Sequence, residues 1–379
     1  MKYVFSGATA LLISAAPVMS GGIDRSGQFL GPLWEPGNYA EFSFAHVKPT
    51  VSSNIADVGG IGIGTTNTAD VADSYSQFGL AYKRQFNDNL SGAVMLDQPF
   101  GADIDYPFAP EGSPYLGGTG ADVSATELTG VVRYVMPETG FGVHGGIRAL
   151  STSADVHLGG AVFAAQGADG YHLNLDRETD IGWLAGVSWE KPEIAARVAL
   201  TFNSAIEHEF DSIHRIGGVQ VAPNDKTKVK MPKSVNLEFQ TGIAEDTLLM
   251  GSVRWVDWSE FKVRPSVLGG TSLTNFEDST TYTIGIGRKF TDRWSGAVSF
   301  LYEGDGDGVG TPLSPYEGKK GITLAAVYTQ DNVKITTGIS YVKLGAADVG
   351  VGEGAERVVI GEKDEGKVWG VGVKVGYSF

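Results

Sequence analysis

Three arginines, Arg133, Arg148 and Arg254, are the side chains best suited by type to hold an anionic ligand in this chain. A guanidinium is a planar fork that grips a carboxylate through two parallel hydrogen bonds. The same residues could instead balance Glu127 and Glu238 within a polar interior. Other chemistry finds little footing. Six histidines are scattered, His208 and His214 lack zinc spacing, and no cysteine is present, so neither a metal-dependent enzyme nor a cofactor is expected. Gly60 to Gly64 alternates glycine with isoleucine but lacks the strand-to-helix setting of a nucleotide loop. Glu303 to Gly308 begins like a calcium loop, yet Ser314 stands where such a loop wants a carboxylate, and the stretch reads as solvated and acidic. Serine and histidine show no arrangement that points to a hydrolase.

The scaffold that must position those arginines is written in alternation. In KVWGVGVKVGYSF, residues 367–379, Trp369, Val371, Val373, Val375, Tyr377 and Phe379 share one parity, and Gly370, Gly372, Lys374 and Gly376 share the other. That is the two-residue period of a strand. The pattern recurs at Phe78-Leu80-Tyr82, Ile181-Trp183-Ala185-Val187-Trp189, Val235-Leu237-Phe239, Tyr282-Ile284-Ile286 and several further segments. With those beginning at Tyr39 and Leu90, the total is about 14 strands, an even count as a closed bacterial barrel requires. The predicted fold is all-β, a transmembrane antiparallel β-barrel.

Connection lengths sharpen that expectation. Short turns at 87–89, 137–140, 191–193, 244–246, 291–293 and 330–332 alternate with long polar stretches at 53–75, 98–122, 151–179, 204–234, 257–279, 304–319 and 345–366. Outer-membrane barrels have short turns at one end and long loops at the other. Trp183, Trp189, Trp255, Trp294, Tyr302, Trp369 and Tyr377 fall near strand ends, where interfacial girdles place them. No apolar run reaches the roughly 20 residues of a spanning helix, so a membrane location requires a barrel.

Lys2, the apolar stretch Val4–Ala16 and the small residues that follow have the form of a secretory signal peptide over residues 1–20, with cleavage after Ser20 or alternatively Ala16. A formal charge of −15 argues against a nucleic-acid partner. The parity facing the predicted lumen is mostly Gly, Ala, Ser and Thr, with Arg133, His144, Arg148, Arg197, Glu238, Arg254 and Lys374 at intervals. A barrel of about 14 strands is too wide for such side chains to fill, so another element must occupy it.

Two segments carry a family resemblance. MPKSVNLEFQTGIAEDTLLMGSVRWVDWSEF, residues 231–261, resembles the most recognisable part of the FadL/TodX family of outer-membrane transporters, with Pro232-x-Ser234 and the Trp255-x-x-Trp258-Ser259 element. WLAGVSWEKPEIAARVALTFNSAIEHEF, residues 183–210, is similar to another, ending in Ser204-x-Ile-x-His208. The looser similarity extends from about Tyr39 to Phe379.

The resemblance implies a monomeric barrel over residues 39–379, plugged by an N-terminal hatch, that passes long-chain fatty acids or other hydrophobic compounds inward and releases them sideways into the membrane. The family hatch is longer than residues 21–38 here and usually carries an Asn-Pro-Ala element that this chain lacks. On this reading Phe29, Leu30, Leu33 and Trp34 sit in the lumen near the ligand path; a strand leader on the periplasmic rim is the alternative. Arg133, Arg148 and Arg254 become candidates for a fatty-acid carboxylate, and Val162, Phe163, Ile213, Ile216, Val219 and Val221 for an outer collecting groove or for loop packing. Phe379 resembles the terminal aromatic read by the barrel assembly machinery. The implied surroundings are Gram-negative outer-membrane lipid and lipopolysaccharide. An open diffusion porin for small polar solutes is the alternative function.

Overall fold

The computed structural model describes residues 23–57, 62–305, 309–314, 318–353 and 357–379. The expected leader over 1–20, parts of the Gly60–Gly64 stretch and of the acidic 303–308 stretch lie outside the described residues. Fourteen antiparallel strands close into a ring. They are β1 (Tyr39–Thr50), β2 (Tyr75–Gln85), β3 (Leu90–Asp97), β4 (Gly120–Val135), β5 (Phe141–Leu158), β6 (Tyr171–Lys191) and β7 (Ala196–Asn203). The circuit continues with β8 (Ser234–Ala244), β9 (Thr247–Val256), β10 (Ser279–Lys289), β11 (Trp294–Glu303), β12 (Lys319–Gln330), β13 (Val333–Leu344) and β14 (Gly366–Ser378). β1 pairs with β14 from Tyr39↔Ser378 to Thr50↔Lys367, which leaves the sheet without an open edge.

Alternation sets the two faces. Phe42, Phe44, Leu80, Val132, Ile147, Ile284, Phe300 and Val371 point outward and are exposed, while Arg133, His144, Arg148, Arg197, Glu238 and Lys374 point into the lumen and are buried. In water such an apolar belt would be a liability; in a bilayer it is the membrane-facing surface. Aromatic residues gather at both rims. Trp294 and Tyr328 meet at the turn end with ring centroids 5.0 Å apart, and Tyr341 and Trp369 at the loop end with centroids 4.7 Å apart.

Two expected loops are largely strand. β5 and β6 remain paired through Leu158↔Tyr171, so only residues 159–170 connect them, rather than 151–179. The polar run Ser151 to Asp155 suggested a loop, but the alternate residues Val156, Leu158, Leu173 and Leu175 bury themselves inward. Within 204–234, Ile206–Ile216 and Val219–Met231 form a hairpin whose Gly217 and Gly218 both have positive φ, the demand of a tight two-residue turn. Short loop strands at 53–55, 66–67, 309–310, 348–351 and 358–363 build a second sheet over the loop end.

The apolar interior is accordingly divided. A large cluster, including Val47, Ile55, Tyr115, Leu158, Phe210, Trp258, Val349 and Ile360, lies under the loop sheet. A small one within the barrel joins Leu30, Leu33 and Trp34 to Ala93, Met95, Val131, Leu184 and Ala199.

Candidate functional site

The lumen is occupied by the chain's own N-terminal segment. At the loop end, Ile23 and Asp24 run beside Phe100: Asp24 bridges Phe100, Arg25 N–H donates to Pro99 O at 2.7 Å, and Gly101 N–H donates to Ile23 O at 2.9 Å. Arg254 on β9 reaches Asp24 at 2.6 Å, both side chains almost completely buried. Gln28 accepts from Ser234 Oγ and from Arg254, each at 3.2 Å, and Asn236 donates to Gly27 O at 2.9 Å. Gly27 has φ +73°, and a Cβ there would lie 2.6 Å from the Phe29 ring, so the turn that directs Phe29 requires glycine.

Farther toward the turn end, Gly31–Trp34 forms one 3-10 turn begun by Pro32. Trp34 lies between two guanidinium groups, Arg133 at 4.9 Å and Arg197 at 5.1 Å from its ring centroid, and meets His144 edge-on at 5.4 Å. Glu35 pairs with Lys334 at 3.2 Å and its carbonyl accepts from Lys83 before the chain enters β1. Burying Leu33 and Trp34 in this way contributes about 1.5–3 kcal/mol each.

Each of the three candidate arginines already faces a protein carboxylate. Arg148 holds Glu127 through Nη2 at 2.6 Å and Nε at 3.1 Å, and donates to Ser204 O at 3.1 Å. Arg133 lies 2.9 Å from Glu190, and Arg254 is taken up by Asp24, Gln28, Ser234 and Asn236. A ligand carboxylate would have to exchange with one of these partners.

The segment separates two cavities. Above it, a cavity of about 50 Å³ has almost wholly apolar walls, among them Ile23, Phe210, Met231, Phe261 and Phe276. Below and beside it, a cavity of about 220 Å³ is bounded by Arg25, Gly27 and Phe29 on the lumen side. Phe44, Phe78 and Leu80, which point toward the membrane, line that same cavity.

That double lining follows from a break in the wall. Pairing of β2 with β3 runs from Gln85↔Ser91 to Leu80↔Leu96 and stops. Past it, the Gln98 and Gln77 side chains substitute for backbone: Phe78 N–H donates to Gln98 Oε1 at 3.0 Å, and Gln77 Nε2 to the Gln98 carbonyl at 2.8 Å. Pairing resumes at Ala72↔Ile104, with Asp73 N–H on Asp103 O at 3.0 Å. The result is a window, flanked by Gly79 and closed above and below. Arg25 sits at its upper edge, with its guanidinium 3.8 Å over the Tyr75 ring and paired with Asp103.

A family model described as outer membrane protein transport protein (OMPP1/FadL/TodX) matches residues 39–379. The chain belongs to that family. Solved structures agree on the fold at low identity. A Pseudomonas aeruginosa FadL homologue superposes with TM-score 0.73 at 14% identity, covering 96% of each chain. The P. putida toluene transporter TodX gives 0.63 at 13% identity over 91% of this chain and 90% of its own. The Ralstonia pickettii toluene transporter TbuX gives 0.62 at 11% identity over 96% and 97%. No curated protein sequence matches the chain. The barrel is therefore an outer-membrane transport protein.

The residues that carry the FadL/TodX resemblance have structural positions that explain their chemistry. Ser234 is buried and joins Gln28, Asn203 and Arg254; Pro232 is buried just before it. Trp258 is fully buried against Phe100, Phe261 and Phe276, each with centroids 5.9 Å away, at the loop end of the lumen. Ser259 Oγ donates to Asp257 at 3.1 Å, and Trp255 faces outward with Lys233 Nζ 5.9 Å from its ring. Ser204 Oγ accepts from Trp183 N–H at 2.9 Å, and His208 Nδ1 lies 2.8 Å from Asp180.

Among the loop candidates, Val162 and Phe163 are buried in a helical turn, Ala161–Ala164, within the loop-end cluster. Ile213 and Val221 are half-buried, whereas Ile216 and Val219 are exposed at the hairpin tip. The same hairpin is tied down by Asp225, which accepts from Ser266 Oγ at 2.5 Å and lies 2.9 Å from His214; the Ser266 bond first among these contacts holds its carboxyl below the usual range. Phe379 lies outside the wall at the turn end, with ring centroids 5.8 Å from Tyr377 and 6.1 Å from Tyr82.

Asp24, Gln28, Gly79 and Gln98 were not among the sequence candidates. Pro99, which breaks a strand pattern just after the short β3, was the available signal for the window.

Proposed function

We propose that this barrel takes up hydrophobic molecules, long-chain fatty acids or similarly oily compounds, without coupling to an energy source. A ligand would gather in the apolar chamber beneath the loops, displace the Asp24–Phe29 stretch, and leave sideways through the β2–β3 window into the outer membrane. One observation carries this reading: the cavity at the window is lined both by the N-terminal segment and by the membrane-facing Phe44, Phe78 and Leu80. A molecule leaving there enters an acyl layer and gains about 0.8 kcal/mol per CH₂ buried. The toluene transporters among the similar structures support a hydrophobic cargo.

The same reading makes the protein a transporter and not an enzyme, surrounded by membrane lipid and lipopolysaccharide. The closed ring has no free edge to pair with another copy, which supports a monomer. Phe379 is the proposed contact for the assembly machinery. An open porin fits poorly with a lumen crossed by residues 23–38, whose Asp24, Leu33 and Trp34 are buried.

The test is uptake by cells that lack their own hydrophobic-compound transporter. Expression should give saturable uptake of radiolabelled oleate or toluene with no rise in permeation by a small sugar. Sugar permeation without uptake of either hydrophobic probe would instead identify an open porin.

A further inference from the structure

Above the membrane belt, the outer surface of the barrel carries a group of side chains that the transport path does not use. β4 and β5, β5 and β6, and the strand Gly101–Asp105 with β4 place Asp103, Asp122, Asp155 and Asn174 directly opposite one another in register. Two residues along, Gly120, His157 and His172 are opposed in the same way. The inner face of these strands is apolar, with Ala102, Val123, Ala154 and Leu175 lining the upper chamber, so the aspartate and histidine rows lie on the outside. Directly opposed like charges destabilise a sheet. Three aspartates in a row therefore need compensating charge, and Arg25, paired with Asp103, supplies it at one end of the row.

The other end of the row is built differently. His157 and His172 stack with ring centroids 4.1 Å apart and planes 17° from parallel. Both turn Nε2 toward one carboxylate: His157 Nε2 lies 2.6 Å from Asp155 Oδ1, and His172 Nε2 lies 2.8 Å from Asp155 Oδ2. These ligand atoms all fall within 4.8 Å of one another. Asn174 donates to Asp155 at 3.1 Å and fixes the carboxylate from behind. An adjoining cavity of about 310 Å³, lined by Asp73, Asp105, Asp122, Asp155 and His157 among others, gives the group access to solvent.

We propose that His157, His172 and Asp155 form a surface site for one divalent ion of the zinc, nickel or copper class. Two imidazoles and a carboxylate are the donor set those ions prefer, and three protein ligands leave room for water. Zinc bonds nitrogen and oxygen at about 2.0–2.2 Å, and an imidazole binds it in the plane of the ring, so an ion seated among these three groups would turn the two stacked rings out of parallel, move the donor atoms apart and break the present imidazole–carboxylate contacts. Asn174 would then act as the outer partner that orients Asp155. The ion would staple β5 to β6 immediately below the connection 159–170, which carries Val162 and Phe163. Strand register brings these three ligands together whatever molecule the barrel transports.

The experiment is calorimetric titration of zinc chloride, then nickel chloride, into untagged, chelator-washed protein in detergent micelles. One ion per barrel is expected. His157→Ala and His172→Ala should each weaken binding by at least about tenfold, a loss that even outer partners of metal ligands can produce. His46→Ala, at an exposed histidine outside the group, should bind as the parent does. Retained heat-modifiable mobility in gels would show that each variant is folded. Absence of a binding signal in the parent, or unchanged affinity in both the His157 and His172 variants, would overturn the proposal.

Discussion

Asp24 and Arg254 are 230 residues apart in sequence and meet at 2.6 Å inside the barrel, where neither is more than a few per cent exposed. This pair locks the start of the N-terminal segment to the wall. Removing one partner from such a buried pair costs about 3–5 kcal/mol, because the survivor stays desolvated and alone. Arg254→Ala should therefore loosen residues 23–29 while leaving the ring intact. Hydrogen exchange is expected to rise across those amides and stay unchanged in β9. Replacing both residues with alanine should cost less than the two single changes summed.

Gly79 borders the window. A Cβ at this position would lie 2.6 Å from Ser43 Oγ and 3.5 Å from Leu96 O. Gly79→Phe should fill the opening with a side chain that an extended strand accepts. Uptake of the hydrophobic probe is expected to fall to near the level of cells without the protein, with binding to the purified protein retained. Full uptake by a correctly folded Gly79→Phe barrel would remove the window from the path.

The barrel was readable because strand alternation is local: each outward residue in 367–379 announces its face without reference to any other strand. The ends of β5 and β6 were not, because Ser151, Thr152, Ser153 and Asp155 break the apolar alternation and only pairing reveals the stretch as strand. The same limit hid the site. Alternation places Arg148, Arg133 and Arg254 in the lumen, but Glu190, the partner of Arg133, and Asp24, the partner of Arg254, lie on other segments, and no spacing pattern joins them. Glu127 was visible as a potential partner for Arg148 because both fall on one parity of neighbouring strands. His157 and His172 are likewise brought together only by register.

The loop end should loosen in acid. Ser266 and His214 hold Asp225 below the ordinary carboxylate range, and Arg264, 2.5 Å away, does the same for Glu353. A depressed folded value adds stability above the unfolded pKa of about 4, and that stability is lost as pH falls through the lower folded value. Both pairs are partly solvated, so each contributes on the order of 1 kcal/mol or less. Cleavage of the loops by an acid-active protease should be slow at pH 5 and accelerate below about pH 4. Arg264→Ala should remove the Glu353 part of that acceleration.

Deleting Phe379 should reduce the fraction of chain that becomes a heat-modifiable barrel in cells. The residue packs against Tyr82 and Tyr377 on the outside, and its N–H donates to Asn38 O at 3.1 Å, so the deletion also removes a closing contact. Phe379→Ala keeps that backbone bond and separates the two effects: poor assembly in both variants points to recognition of the aromatic ring.

The most direct measurement is single-channel conductance of the purified protein in a planar bilayer, for the parent and for a variant lacking residues 27–34. If the N-terminal segment closes the lumen, the parent should be silent or flicker, and the shortened barrel should show large, steady openings. Steady openings in the parent, or identical traces from the two proteins, would contradict closure by that segment.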